Sequence, residues 1–366
     1  MAAMAGQEVE MFPVVIPYPG IFLRDHWEEV TEIPWWAVRD GNIKANLQVQ
    51  QDLQTALGLD WVPAGVGASR QYRQTHKATV RGRQVLLTNT ETGIEKALSK
   101  PPVGGEQQVV TESSVHAVAD IEACVNITSA KEMLESGALD YAAAVVEEFG
   151  GTHFVLASIG APFWGTYRYF GFTEMMTNLV ERPELVELLL DRLTLHHLEY
   201  LKAYAAVGID AVWIEDCYSS AELISLNQFR RFASPYVKRL IDAAHDLGMK
   251  SIYYFCGDVS DRLADLVTME PTCLSLEESK KGFLIDIAGI DRAACGKVCL
   301  LGNVDAIGVL QNGTREQMAT EIERQLAVGR KNGRFVLSLG SPVTPQTPTT
   351  RVRDFIELSR QLMIRR

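Results

Sequence analysis

Five apolar runs in the second half of this chain end in polar, chemically competent residues: Ile209 to Cys217, Met249 to Asp258, Thr272 to Ser279, Lys297 to Ala306 and Arg334 to Ser341. From Thr152 onward such runs alternate with helical patterns at steps of roughly 25 to 40 residues, the pattern of βαβ units and a parallel sheet. A sheet of this kind can curl into a (β/α)8 barrel, where the active site lies at the strand ends. Ends reading Glu-Asp-Cys, Cys-Gly-Asp and Glu-Glu-Ser would bring Glu215, Asp216, Cys217, Cys256 and Glu277 to one rim, although they are distant in sequence. The chain therefore reads as an enzyme of the α/β class. The expected layout is a (β/α)8 TIM barrel over residues 126–366, with an N-terminal elaboration over 1–125 that contributes to the barrel mouth.

Composition narrows the class. With 366 residues, 47% of them hydrophobic, the chain can bury a large core. A net charge of −11 argues against nucleic acid, which is bound through clustered Lys and Arg. The start Met1-Ala-Ala-Met-Ala-Gly-Gln-Glu lacks the basic and apolar regions of a signal peptide. No window approaches the ~18 uninterrupted apolar residues of a membrane span, so a cytoplasmic protein with no membrane contact is expected. Six cysteines are too few for a disulfide framework in a chain this long, and several stand at strand ends, where thiol or metal chemistry is open to them. There is no Gly-x-Gly-x-x-Gly opening a helix, no Gly-Lys-Ser/Thr loop, no Gly-x-Ser-x-Gly elbow and no His-Glu-x-x-His, which sets aside nucleotide binding and serine hydrolysis.

Local signals place further elements. Leu59 to Gly67 reads as one strand, Val80 to Thr90 as part of a hairpin and Ser129 to Phe149 as helical. Ser225-Leu-Asn-Gln228 and Thr314-Arg-Glu-Gln317 are capping boxes opening the helices Phe229 to Leu247 and Met318 to Val328. An amphipathic pattern over Thr350 to Arg366 closes the chain.

Gly160-Ala-Pro-Phe-Trp-Gly-Thr-Tyr167, Leu179-Val-Glu-Arg-Pro-Glu-Leu-Val186, the Ser225 to Arg239 run with Ser234-Pro-Tyr236, and Leu301-Gly-Asn-Val-Asp305 resemble the uroporphyrinogen decarboxylase superfamily. The resemblance covers roughly residues 135 to 366 and implies a single (β/α)8 barrel. It also implies one of two chemistries: cofactor-free decarboxylation of porphyrinogens, or zinc-dependent methyl transfer to or from a corrinoid protein. The decarboxylases' Met-Arg-Gln-Ala-Gly-Arg segment and Gly-His-Gly turn are absent. The chain has Phe22-Leu-Arg-Asp-His-Trp and Gly340-Ser-Pro-Val-Thr-Pro instead, and is similar to the methyltransferase branch, including its O-demethylating members.

Coenzyme M methyltransferases of that branch carry His-x-Cys at one strand end and a Cys after a Gly at a later one. Here those places read Tyr254-Phe-Cys256 and Gly340-Ser341. The resemblance thus implies a zinc site of mixed ligands drawn from Cys256, Glu277 and Cys217, with Glu215, Asp216 and Tyr254 beside the reacting atoms. Its methyl donor would be a small molecule, foremost a methoxylated aromatic stacked among Trp164, Tyr167, Tyr169 and Trp36, with Asn303 orienting it. The chain has no corrinoid-binding Asp-x-His-x-x-Gly, so the corrinoid, a cobalamin, would come on a partner protein. Open beside this stand a cofactor-free decarboxylase and an inactive barrel acting as a binding subunit. Neighbours on a strand alternate faces, so Glu215, Asp216 and Cys217 cannot all point inward. Glu277 and Glu278 have a plainer reading as partners of Lys280 and Lys281, Cys256 as a small buried hydrophobe, and Trp35-Trp36 as a lid, a homodimer contact or a core anchor.

Overall fold

The computed structural model describes residues 2–7, 9–106, 109–280 and 282–364. Ten strands are formed among them: β1 (Trp61–Ala64), β2 (His76–Arg81), β3 (Gln84–Asn89), β4 (Glu95–Leu98), β5 (Phe154–Gly160), β6 (Ala211–Asp216), β7 (Lys250–Phe255), β8 (Cys273–Leu276), β9 (Cys299–Leu301) and β10 (Phe335–Val336). Seven build one sheet in the order β1-β5-β6-β7-β8-β9-β10, every neighbour parallel. Their sequences are nearly continuous apolar runs, Ala-Val-Trp-Ile in β6 and Ser-Ile-Tyr-Tyr-Phe in β7, because both faces are covered.

The expected eight-stranded barrel appears as a curled sheet of seven strands whose two edges meet through a shorter piece. Val14 forms an isolated parallel bridge with Leu337, just past β10. Leu337 N donates to Pro13 O at 2.9 Å and Val15 N to Leu337 O at 3.0 Å, while Asp60 N, just before β1, donates to Val14 O at 3.2 Å. Pro13 to Val15 thus lies between first and last strands with its backbone bonded to both.

Helices cross between the strands: α1 (Ile43–Leu57), α2 (Asp140–Phe149), α3 (Pro183–Ala206), α4 (Ser234–Asp246), α5 (Leu263–Thr268), α6 (Ile287–Ala294), α7 (Arg315–Asn332) and α8 (Thr349–Ile364). Both capping boxes are made: Ser225 Oγ accepts from Gln228 N, and Thr314 Oγ1 accepts from Gln317 N and opens α7. The helix expected over Ser129 to Phe149 is two, Ala130–Glu135 and α2, separated by Gly137 at φ 75°. Residues 365 and 366 of the expected final helix lie outside the described residues.

The stretch read as an N-terminal elaboration supplies β1 and the Pro13–Val15 bridge to the main sheet. Between β1 and α2 it also carries the antiparallel sheet β2-β3-β4, the expected hairpin extended by a third strand. No helix among the described residues is long and apolar enough to cross a membrane.

Candidate active site

Register decides which strand-end side chains meet. Trp213 and Glu215 occupy one face of β6, and Asp216 the other. Asp216 is fully buried, and its Oδ2 accepts from Tyr253 Oη at 2.8 Å and from Ser219 Oγ at 2.6 Å. Burial pushes its pKa up to about 6. It is not brought to the site and instead ties the loop after β6 to β7. Arg262, also fully buried, anchors the same loop by donating to Ser219 O and to Ile224 O.

Cys217 and Cys256 are brought together. The β6–β7 ladder pairs Asp216 with Phe255, and one step further the two sulfurs lie 3.1 Å apart. The Cys217 hydrogen bond and burial both push the Cys256 thiol up. Glu277 lies next to them: its Oε2 accepts from Gly257 N at 2.9 Å, and its Oε1 is 2.6 Å from Lys280 Nζ. Lys280 also donates to Ser341 Oγ at 2.9 Å. The plainer reading of Glu277 is thus realised through Lys280, while Lys281 lies outside the described residues.

Tyr254 Oη donates to Gly340 O at 3.0 Å. Gly340 has to be glycine, because a Cβ there would fall 2.5 Å from Glu278 Oε2 and 2.9 Å from the Glu277 carbonyl carbon. Asn303 is spent behind this group: Nδ2 donates to Glu277 O and Ile285 O, both at 3.1 Å, and Oδ1 accepts from Gln325 Nε2 at 3.0 Å.

The zinc expectation meets two thiols and a carboxylate already engaged. Tetrahedral zinc with bonds of about 2.3 Å holds its sulfurs about 3.8 Å apart, wider than 3.1 Å. No group of three or more His, Cys, Asp or Glu among the described residues is placed to share an ion. The residues as arranged do not fit zinc.

Above the sheet's inner face, a cavity of about 300 Å³ is lined by Tyr18, Trp61, Pro63, Leu156, Ser158 and Trp213, among others. Its lining contains no Lys, Arg, Asp or Glu. Trp213 stacks on Tyr254, with centroids 5.2 Å apart and 24° between planes, and Tyr18 and Trp61 meet Trp213 edge-on at 5.7 and 5.5 Å. Tyr18 is a non-glycine in the left-handed region, φ 54° and ψ 56°, immediately before Pro19. Strain of this kind persists where surroundings hold it and clusters at functional sites. Burial raises the Tyr18 hydroxyl pKa, and Glu215, Cys256 and Cys217 raise it further, so its oxygen belongs to their neighbourhood. Burial also pushes Glu215 up to about 7, against a smaller opposing pull from Arg168.

A second cleft, of about 590 Å³, opens beside the rim and is walled by Trp164, Tyr167, Arg168, Tyr169, His197 and Tyr218, with Gly160 at its edge. Three of the expected stacking residues therefore line this lateral cleft and not the barrel interior. Trp36 lines neither cavity; it lies half-buried in the turn before α1. Sequence reasoning missed Tyr18, Trp213 and Arg168. Tyr18-Pro19-Gly20 carried a turn signal, whereas Arg168 stands out only once α3 packs against the helix Tyr167–Glu181 that carries it.

A model of the uroporphyrinogen decarboxylase family (URO-D) matches residues 102–362. A methylcobamide:CoM methyltransferase, MtbA, of Methanosarcina mazei is 25% identical over 262 residues, 70% of this chain and 72% of that protein. A methylated-thiol–coenzyme M methyltransferase of the same organism is 23% identical, over 66% of this chain and 63% of its own length. A uroporphyrinogen decarboxylase of Syntrophotalea carbinolica is 26% identical, over 55% of this chain and 54% of its own. Among solved structures, a methyltransferase from Methanosarcina mazei has the same fold, with a TM-score of 0.70 at 18% identity over 99% of this chain and 97% of that one.

Proposed function

The chain belongs to the uroporphyrinogen decarboxylase family, and we propose that it is a methyltransferase moving a methyl group from a small methylated donor to a corrinoid carried by a separate protein. One observation carries this reading over decarboxylation: the cavity on the sheet's inner face is aromatic with no basic residue in its lining, and its Tyr18 hydroxyl feels the Glu215 carboxyl and the paired thiols. A porphyrinogen bearing many carboxylates would need cations there. The similarity to the methylcobamide:CoM and methylated-thiol–coenzyme M methyltransferases of Methanosarcina mazei supports the same choice.

The donor class that the tyrosine-rich cleft supports is a methoxylated aromatic, its ring against Trp164, Tyr167 and Tyr169. When its methyl is taken, the ether oxygen leaves with the bonding electron pair. Glu215, kept protonated to about neutral pH by burial, can give that oxygen a proton. Tyr254, fixed on Gly340 O, and the ring cluster around Trp213 keep water from the reacting end. The corrinoid is the second substrate and supplies the electron pair that accepts the methyl group. A zinc ion at Cys217 and Cys256 would require Glu277 to leave Lys280, and the reading does not depend on one.

The test is methyl transfer from a panel of methoxylated aromatics, methylated thiols and methylated amines to a reduced corrinoid, followed by the corrinoid's absorbance change. Transfer is expected, with Glu215→Gln slower by roughly 10²–10⁴-fold if it is the proton donor. Absence of transfer from every donor, together with carbon dioxide release from a porphyrinogen, would overturn the reading.

A further inference from the structure

The lateral cleft has a charge character opposite to that of the molecule around it. The chain carries a net charge of −11, yet no Asp or Glu lines the cleft, and Arg168 is the lining residue charged at neutral pH. The Arg168 side chain is exposed and forms no hydrogen bond or salt bridge with any described residue. Two exposed arginines after β6 are paired by contrast, Arg230 with Asp265 at 3.1 Å and Arg231 with Glu187 at 2.7 Å.

Ring nitrogens without partners among the described residues gather at the same place. His197 Nδ1 is buried and unbonded, as is Nδ1 of the preceding residue of α3, His196. Burial pushes the His197 imidazole down to about 3, so it stays neutral and offers its ring nitrogens as hydrogen-bonding groups. The walls are flat: Tyr167 and Tyr218 approach at 5.5 Å with 59° between planes, and Trp164 packs on Gly160. Gly160 pairs with Glu215 in the β5–β6 ladder, and Tyr218 follows Cys217 in the chain. The cleft therefore runs into the rim where the thiols and the buried carboxyl lie.

We infer that this cleft binds an aryl carboxylate, with the ring between the aromatic walls and the carboxylate on Arg168, making Arg168 the residue that selects an anionic donor. A planar guanidinium offers paired N–H groups that match a carboxylate's two oxygens, and such charge-assisted bonds are stronger than neutral ones. The neutral imidazole of His197 can add a hydrogen bond without adding charge. The inference rests on the methyltransferase reading only in giving that ligand the role of methyl donor; the binding assignment stands on the cleft itself.

Calorimetry with 4-methoxybenzoate and 4-methoxybenzamide, two probes of the same shape that differ in charge, tests it on the full chain. The carboxylate is expected to bind about tenfold tighter or more than the amide, as a charge-assisted pair implies. Arg168→Gln is expected to erase that preference, weakening the carboxylate about tenfold more than the amide, and Arg168→Lys to restore part of it. Since Arg168 is exposed and forms no hydrogen bond or salt bridge with any described residue, both variants should fold, which thermal unfolding checks. Equal affinities in the native protein, or a preference that survives Arg168→Gln, would overturn the inference. If methyl moves to the corrinoid from neutral donors with no preference for the carboxylate, the inference falls and the methyltransferase reading stands. If the preference is found and no donor yields methyl transfer, the cleft assignment stands and that reading falls.

Discussion

At the scale of single residues, the rim is governed by close approach. Gly340 leaves no room for a methyl against Glu277 and Glu278, and its carbonyl is the acceptor that holds the Tyr254 hydroxyl. Gly340→Ala should therefore destabilise by about 1–3 kcal/mol, the range for overpacking, and displace Tyr254; denaturant midpoints and activity measure the two effects separately. His197 sets a pH dependence with a definite sign. Its folded-state pKa, about 3, lies below the ordinary 6.5, so below pH 6.5 the unfolded chain binds a proton that the folded chain does not. This contribution to stability is complete above pH 6.5 and lost as pH falls toward 3, at up to about 1.4 kcal/mol per pH unit. Urea unfolding at pH 7 and pH 5 should show native protein losing more stability than His197→Gln; identical losses would rule the imidazole out as the cause.

At the scale of elements, much was legible, because the signals were local. The Thr314 capping box announces α7 within four residues, and Thr314→Ala should cost about 0.5–2 kcal/mol, read as a lowered midpoint in thermal unfolding. The strand ends at Cys217, Cys256 and Glu277 were visible as apolar runs with polar tips. Phase was the harder quantity: Glu215 and Asp216 look equivalent in sequence, and only the ladder with β7 sends one to the rim and the other to Tyr253 and Ser219. The lateral cleft escaped altogether in its chemistry, since Arg168 and His197 come from separate segments and meet through helix packing that no periodicity records. The bridge at Pro13 to Val15 was equally hidden, being three residues long with a partner more than three hundred positions away. One of its backbone donors can be removed by substitution, which makes it testable. Val15→Pro removes the N–H given to Leu337 O and should lower stability by about 1–3 kcal/mol, the cost of leaving a buried acceptor unpaired, whereas Val15→Ala keeps the donor and isolates the side chain's share.

At the scale of the whole molecule, the sheet is held shut by a piece that is not itself a regular strand. Removing residues 2–15 should leave the edges of β1 and β10 unpaired, and exposed edges associate with other chains; size-exclusion chromatography would show a shift from native size to larger species. The class of fold was readable because strand and helix alternate over two hundred residues, and the family's model likewise covers residues 102–362. What lies before that span turned out to close the sheet and to supply Tyr18, whose hydroxyl stands among the thiols and Glu215.

The bridge also imposes an order in time. Synthesis reaches Leu337 more than three hundred residues after Pro13 to Val15, so in that interval the three-residue segment can find only its neighbour at Asp60. A growing chain halted before Leu337 holds an unclosed sheet and an unfinished rim, since Gly340, the acceptor for Tyr254, has not yet been added. Assembly of the rim and sealing of the sheet thus wait on one short stretch, Leu337 to Gly340.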